Sequence, residues 1–518
     1  MTDVAAPPMR ERRGLRERWH ELPEQQRIGI TIGAQIVVAI LLYLLDSALG
    51  YALLTLSALY WLPRLPPLPW RLAAEVALVA VFLVFGPRAF AVVLAIAFAV
   101  FWVPARQRGT VIPVVAVFAV VLYPAFQSHM FTIPVFGVWP DTQTGVYMLA
   151  FMMMAVGLNI VVGYAGLLDL GYVAFYATGA YTAAWFTSLQ FPHTTFHFGA
   201  VGIDPKLPGI HITVWLLLPL AGAVTALIGI LIGLPTLRLR GDYLAIVTLG
   251  FGEILPQVAR NSDNFLGTGF NLTNGPNGIT PLDSMGFGHT ISNATGGFLP
   301  ANYLSCCSAK FLGHAVSYVD VFYWTAIVLL LITVFCSFRL QYSRLGRAWI
   351  AIREDETAAA AMGIPLMRTK TWAYASGAFF GGVAGAFYAV FKSSTFPGDF
   401  FFQISVFILC MVILGGMGNI WGVLVGAGFL AYLDREGLAN TGAWINSNIH
   451  VGSHHPNIDV DLYKPGIYGL IILIVMLFRP EGLIPSKRRA AELHEGVHDE
   501  PLYDIAHGAY DEVGGVEA

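Results

Sequence analysis

Residues 343–365 read SRLGRAWIAIREDETAAAAMGIP, a charged stretch set between two apolar runs. Arg344, Arg347, Arg353, Glu354, Asp355 and Glu356 cannot all face hydrocarbon, where each unpaired charge costs several kcal/mol, so the segment belongs outside the lipid. Leu345, Trp349 and Ile352 recur at i, i+4 and i+7 and fall on one helical face. The helix therefore has an apolar side to dock and a charged side to present. Ser343 is the expected N-cap, and Gly363 followed by Pro365 ends the pattern. Two readings follow: a helical loop between spans, or a docking element for a soluble partner.

Working outward, the composition sets the class. Of the 518 residues 56% are hydrophobic and only 12% are charged, and the mean hydropathy is +0.65. That is far from a soluble domain and indicates an integral membrane protein. The formal charge of −3 and the lack of a basic groove with interleaved aromatics exclude nucleic-acid binding.

Fourteen apolar runs stand out, at 28–45, 47–62, 72–86, 89–103, 111–126, 146–163, 169–189, 213–236, 243–258, 319–338, 371–391, 401–414, 417–433 and 465–478. The expected fold is an all-α polytopic bundle of about fourteen spans. Several runs fall short of the ~20 residues that cross a bilayer, so broken or re-entrant helices are expected among them. With the N-terminus inside, 22 of the 29 Lys and Arg fall in inside segments. The positive-inside rule then places both termini and residues 343–365 in the cytoplasm, and loops 259–318 and 434–464 outside.

The first run follows an arginine-rich segment but has no convincing small-residue cleavage site, so it reads as a retained span. Residues 1–27 form a basic cytoplasmic segment, and 28–140 an additional bundle. Residues 490–518 hold eight acidic residues and no Lys or Arg, the pattern of a mobile tail, with the tail domain beginning at 486. Cys336 and Cys410 lie in apolar runs, and Cys306 and Cys307 are adjacent, which strains a mutual bridge. His193, His197, His450, His454 and His455 sit in outer loops without zinc-site companions, so no metal is expected. None of the six lysines follows a glycine, so no phosphate-binding loop exists and ATP hydrolysis is not expected on this chain. No HExxH appears, nor a GxSxG in strand-to-helix context, and no enzymatic activity is expected.

The middle of the chain carries glycine-broken apolar stretches with polar residues at membrane depth. Gly157, Asn159, Gly163, Gly166, Asp169 and Gly171 interrupt GLNIVVGYAGLLDLGYVAFYATGAY, and Gly415-Gly416-Met417-Gly418-Asn419 offers a second break. Each glycine alone is explained by close helix packing. A break near Gly166–Gly171 would aim the N–H groups of a half-helix into the membrane, where they suit a carboxylate. Tyr172, Phe175 and Tyr176 are candidate wall residues, with Asn159, Gly163, Thr248, Gly415 and Gly416 along the same pathway. Asp169 fits two readings, a cap that fixes the break or a group facing the substrate. Glu253 is an intramembrane carboxylate and a site candidate by default.

The segments at 157–181, 234–254 (LPTLRLRGDYLAIVTLGFGEI), 275–279 (GPNGI), 346–364, 415–419 and 478–485 (FRPEGLIP) resemble, in order, the LivM-type permease subunit of branched-chain amino-acid ABC importers. The resemblance covers roughly 146–485, within a transport core taken as 141–485. It implies that the helix matching 346–364 seats on an ATPase, through Leu345, Gly346, Arg347, Trp349, Ile352, Arg353, Glu354, Asp355 and Gly363. It further implies a LivH-like second permease, two ATPase subunits carrying ATP and Mg, an extracytoplasmic binding protein, and a bacterial inner-membrane location. A urea or short-amide permease shares much of the pattern. An ion-coupled secondary transporter, with Glu253 and Asp169 as proton or sodium sites, is the rival from another class.

Overall fold

The structure is a computed structural model. It describes residues 105–127 and 139–484, with gaps at 202–203, 205, 240–241, 265–267, 296–298, 304–309, 312–313, 449–459 and 480, and scattered positions between 31 and 98. Residues 1–27 and the acidic tail lie outside the described residues, as do most of the runs before 104, Cys306, Cys307, His450, His454 and His455.

The chain divides into two compact units, Met1–Trp139 and Pro140–Ala518. The first contains helix α1 (Ala105–Phe126), which carries Pro113 and Pro124. The second is built from α2 (Thr142–Asn159), α3 (Val173–Phe186), α4 (Val214–Thr236), α5 (Asp242–Arg260), α6 (Gly288–Ala294) and α7 (Tyr318–Gln341). It continues with α8 (Arg344–Glu354), α9 (Glu356–Ala361), α10 (Leu366–Lys392), α11 (Phe402–Gly415), α12 (Ile420–Tyr432), α13 (Leu438–Asn448) and α14 (Lys464–Phe478). Five helices among the described residues are long and apolar enough to cross a membrane: Thr142–Tyr164, Val214–Thr236, Tyr318–Gln341, Leu366–Lys392 and Pro397–Gly415.

Caps set where these helices begin. Asp141 accepts from the Thr144 amide at 2.5 Å to start α2, and Ser317 with Asp320 forms a capping box on α7. The core lies where α10 packs on α3 and α4 and α2 packs on α7 and α12. α2 is almost wholly enclosed and α10 mostly so, whereas α4 leaves one side uncovered. The approach of α3 to α10 depends on paired glycines. A Cβ on Gly179 would collide with the Gly382 carbonyl of α10, while a Cβ on Gly382 would strike Thr225 of α4, so each glycine admits a neighbouring helix.

Three expectations need correcting. The all-α reading omits two small sheets in the loops. β1 (Thr187–Ser188), β3 (Gly209–Ile212) and β2 (Thr195–Phe198) pair in the order β1-β3-β2, and β4 (Lys310–Phe311) pairs with β5 (His314–Ala315). The run 169–189 is helical only from Val173, because Gly166 takes φ +68° and the chain stays irregular up to the α3 cap. The charged helix 343–365 is two helices, since Asp355 leaves helical geometry at φ −151° and caps α9 by accepting from the amides of Thr357 and Ala358.

Candidate functional site

Two broken helices meet at one end of the second unit. After Asn159, α2 widens into a π-helical turn, Ile160–Tyr164, a feature that often marks functional positions. The second break runs from Gly415 to Asn419, with Gly416 at φ +113° and Gly418 at φ +84°. Asn159 joins them, its Oδ1 accepting from the Gly418 amide at 2.8 Å. Asn419 caps α12 by accepting from the Trp421 amide at 3.1 Å, while its Nδ2 donates to the Ile484 carbonyl at 3.0 Å. Residues 483–484 lie against the end of α11, the amides of Leu483 and Ile484 donating to Leu414 and Gly415 at 2.9 and 3.1 Å.

The charged helix α8 closes over this joint. Ser343 caps it, accepting from the Gly346 amide at 3.1 Å, and a Cβ on Gly346 would strike the carbonyls of Leu340 and Gln341. Trp349 is completely buried and donates from Nε1 to the Thr369 carbonyl of α10 at 2.8 Å, with Ile352 buried beside it. Trp349 and Ile352 of the apolar face are thus docked on the chain's own bundle and are not available to a partner. Arg353 reaches into the first break, donating from Nη1 to the Gly163 carbonyl at 2.6 Å. A Cβ on Gly166 would meet Arg353 Cγ at 2.7 Å, so the glycine makes room for that side chain. Lys370 of α10 holds Glu356 at 2.7 Å. Leu345, Arg347, Glu354, Asp355, Met362 and Gly363 are exposed and form the outward side.

The start of α3 bears directly on whether this break can bind an anion. The Gly171 amide donates to Asp169 Oδ1 at 2.8 Å, the Leu170 amide to Thr248 Oγ1 at 3.0 Å and the Val173 amide to Ser405 Oγ at 2.8 Å. The donors expected for a substrate carboxylate are therefore occupied by the protein's own side chains. Asp169 thus closes a local two-residue turn on Gly171 ahead of α3, whose N-cap Tyr172 makes no side-chain capping bond. Tyr172 donates to the Gly377 carbonyl at 2.9 Å and packs edge-on against Phe175, which in turn meets Tyr374. Tyr176 turns away toward Phe400. Glu253 does not join these residues, being exposed on α5. Ser405 went unnoticed in the sequence, its only signal being one hydroxyl within the apolar stretch FQISVFILC.

The sheet between α3 and α4 holds a second polar cluster. His211 is stacked on His197, with centroids 4.9 Å apart, and its Nδ1 lies 2.7 Å from Asp283 Oδ2. Burial pushes the Asp283 carboxyl up to about 6, against the downward pull of the His211 contact. The folded state thus holds this proton more tightly than the unfolded chain, whose ordinary value is 3.8. Stability of the sheet should fall as pH rises from about 4 through about 6. Hydrogen exchange of the β3 amides should show that decline, and Asp283→Asn should flatten it.

Taken together, helices apolar and long enough to cross a membrane, two glycine breaks and an amphipathic helix locked into them fit the core of a membrane transport protein. Residues 143–478 match the family described as branched-chain amino acid transport system / permease component. The chain is 35% identical over 351 residues to the high-affinity branched-chain amino acid transport system permease protein LivM of Salmonella typhimurium, covering 67% of this chain and 71% of that protein. It is 34% identical over the same length to the protein of that name in Escherichia coli, with the same coverage. A probable branched-chain amino acid transport permease protein LivM of Methanocaldococcus jannaschii is 25% identical over 352 residues, 65% of this chain and 91% of that one. No solved structure matches significantly. The chain belongs to the branched-chain amino acid transport permease family, a family of membrane permease subunits rather than enzymes.

Proposed function

We propose that this chain is the permease subunit of an ABC importer that carries leucine, isoleucine and valine across a bacterial inner membrane. It pairs with a LivH-like permease and two ATPase subunits, which carry ATP and Mg, and receives substrate from an extracytoplasmic binding protein. The observation that supports this reading best is the Arg353 contact, because it ties an external helix with a free outer side to the break in a buried span. Force applied at α8 by a soluble subunit is delivered to α2 and α12 at once. The outward residues Leu345, Arg347, Glu354 and Met362 form the ATPase contact, while Trp349 and Ile352 anchor the helix.

About fourteen spans with both termini cytoplasmic complete the topology, residues 1–27 forming a basic cytoplasmic segment and 28–140 an additional bundle before the transport core. Impermeant thiol labelling of introduced cysteines should reach 259–318 and 434–464 only from outside, and 343–365 and positions after 480 only from inside. A single exchange of sides among these regions breaks the topology. The function itself is tested by reconstituting the co-expressed complex in proteoliposomes and measuring leucine uptake. Uptake that persists without the ATPase, driven by an ion gradient, overturns the proposal in favour of a secondary transporter. Preference for urea or short amides over leucine overturns the substrate class.

A further inference from the structure

At the Lys392 end of α10, away from the joint, a cavity of about 990 Å³ opens between α2, α10, α11 and α14. That volume is in the range of small-molecule sites. Its polar wall comes from the π-helical turn Leu433–Gly437, which carries Asp434 and Arg435. Asp434 is already engaged, accepting from the hydroxyls of Tyr147 at 2.9 Å and Tyr468 at 2.7 Å, with Lys464 Nζ at 3.7 Å. Asp399 is held by Lys392 at 2.6 Å. Arg435 is held differently. Its guanidinium carbon sits 4.0 Å from the Tyr147 ring centroid, and Nη2 donates to the Tyr388 hydroxyl at 3.3 Å. No carboxylate of the described residues forms an ion pair with it.

A guanidinium resting on two tyrosines, with Asp434 attracting it only from beyond ion-pair distance, keeps most of its five donors, in a planar fork that matches a carboxylate. Phe151, Phe407, Cys410 and Ile472 line the same cavity with apolar surface. A fitting ligand therefore joins a carboxylate to a compact apolar body, and Asp399, which also lines the cavity and is bonded by Lys392 and the Phe396 amide, keeps a lone pair on Oδ1 for an ammonium group. An aliphatic α-amino acid has all three parts, whereas an anionic phospholipid has the anion and the apolar part. Building on the import reading above, we propose that this cavity is a substrate site for aliphatic amino-acid zwitterions, with Arg435 taking the carboxylate.

Gln403, exposed on the cavity lining, provides the probe position. In the assembled complex, with the four native cysteines replaced by alanine, Gln403→Cys is labelled with a maleimide in neutral-lipid nanodiscs. Leucine near ten times its dissociation constant should slow labelling by about tenfold. Leucinol, which lacks the carboxylate, should not slow it, and adding Arg435→Gln should remove the protection by leucine. The proposal is overturned if leucine leaves the rate unchanged, if leucinol protects equally, or if only anionic phospholipid protects. The contrast between leucine and leucinol needs no Arg435 variant, so a misfolded Arg435→Gln cannot obscure the result. Uptake by the same complex is measured in parallel. A complex that imports leucine without protection loses this site but keeps the transport function, whereas one that fails to import loses the function as well.

Discussion

Arg353→Ala is expected to lower ATP-driven leucine uptake in proteoliposomes by at least about tenfold while the complex still assembles. The side chain makes the charge-assisted bond from α8 into the π-helical turn, at 2.6 Å to the Gly163 carbonyl. Its Nη1 also lies beside Gly418, where an added Cβ would be 3.5 Å away. Hydrogen bonds to charged groups contribute about 1.5–3 kcal/mol, and losing one also leaves the Gly163 carbonyl without its partner. Since each 1.4 kcal/mol is about a factor of ten, a coupling step that depends on this bond slows accordingly. The exposed residues Leu345, Arg347 and Glu354 remain in place, so co-purification with the ATPase should be near normal. Arg353→Lys keeps the charge without the planar fork and should recover only part of the uptake. Normal uptake by the alanine variant would remove Arg353 from the coupling route.

Trp349→Asp should have a comparable effect for another reason. Trp349 has no exposed surface, and a carboxylate there would be buried against α10 without a partner, a cost of several kcal/mol. The expected result is release of α8 from the bundle, read as rapid proteolysis within 343–365 and loss of uptake. Trp349→Phe removes only the 2.8 Å bond to Thr369 and should cost about 1 kcal/mol, leaving uptake measurable. Charge reversal at Arg347, by contrast, should weaken ATPase binding without making the helix protease-sensitive. A Trp349→Asp complex that resists protease and transports normally would show that this seat is dispensable.

What could be read in the sequence followed chemical type. Charge density placed 343–365 off the spans, and the i, i+4, i+7 spacing grouped Leu345, Trp349 and Ile352 on one face. Periodicity is the same whether a face docks on a partner or on its own bundle, so it could not reveal that Trp349 faces Thr369. Leu345 lies at the margin of that face and is partly exposed. The break at Asp355 had a local signal, since aspartate is a strong N-cap residue, but it was hidden inside a run of charges. The glycine clusters marked where the helices break. They carried no information on what fills the breaks, because Asn159 meets Gly418 across 259 positions and Arg353 meets Gly163 across 190. Arg435 falls in the stretch 434–464 expected as an outer loop, and nothing local reports that Tyr147 and Tyr388 surround it.

The irregular stretch before α3 also has a bearing on biogenesis. Its amides at Leu170 and Val173 are satisfied by Thr248 and Ser405, which lie 78 and 232 positions later in the chain. During synthesis this segment leaves the ribosome long before its acceptors exist, and an unsatisfied amide in hydrocarbon costs several kcal/mol. The segment must therefore wait at the translocon, or stay wet, until α5 and then α11 have been inserted. Chains truncated between α5 and α11 would carry one of these amides without its acceptor, making them natural targets for membrane quality-control proteases.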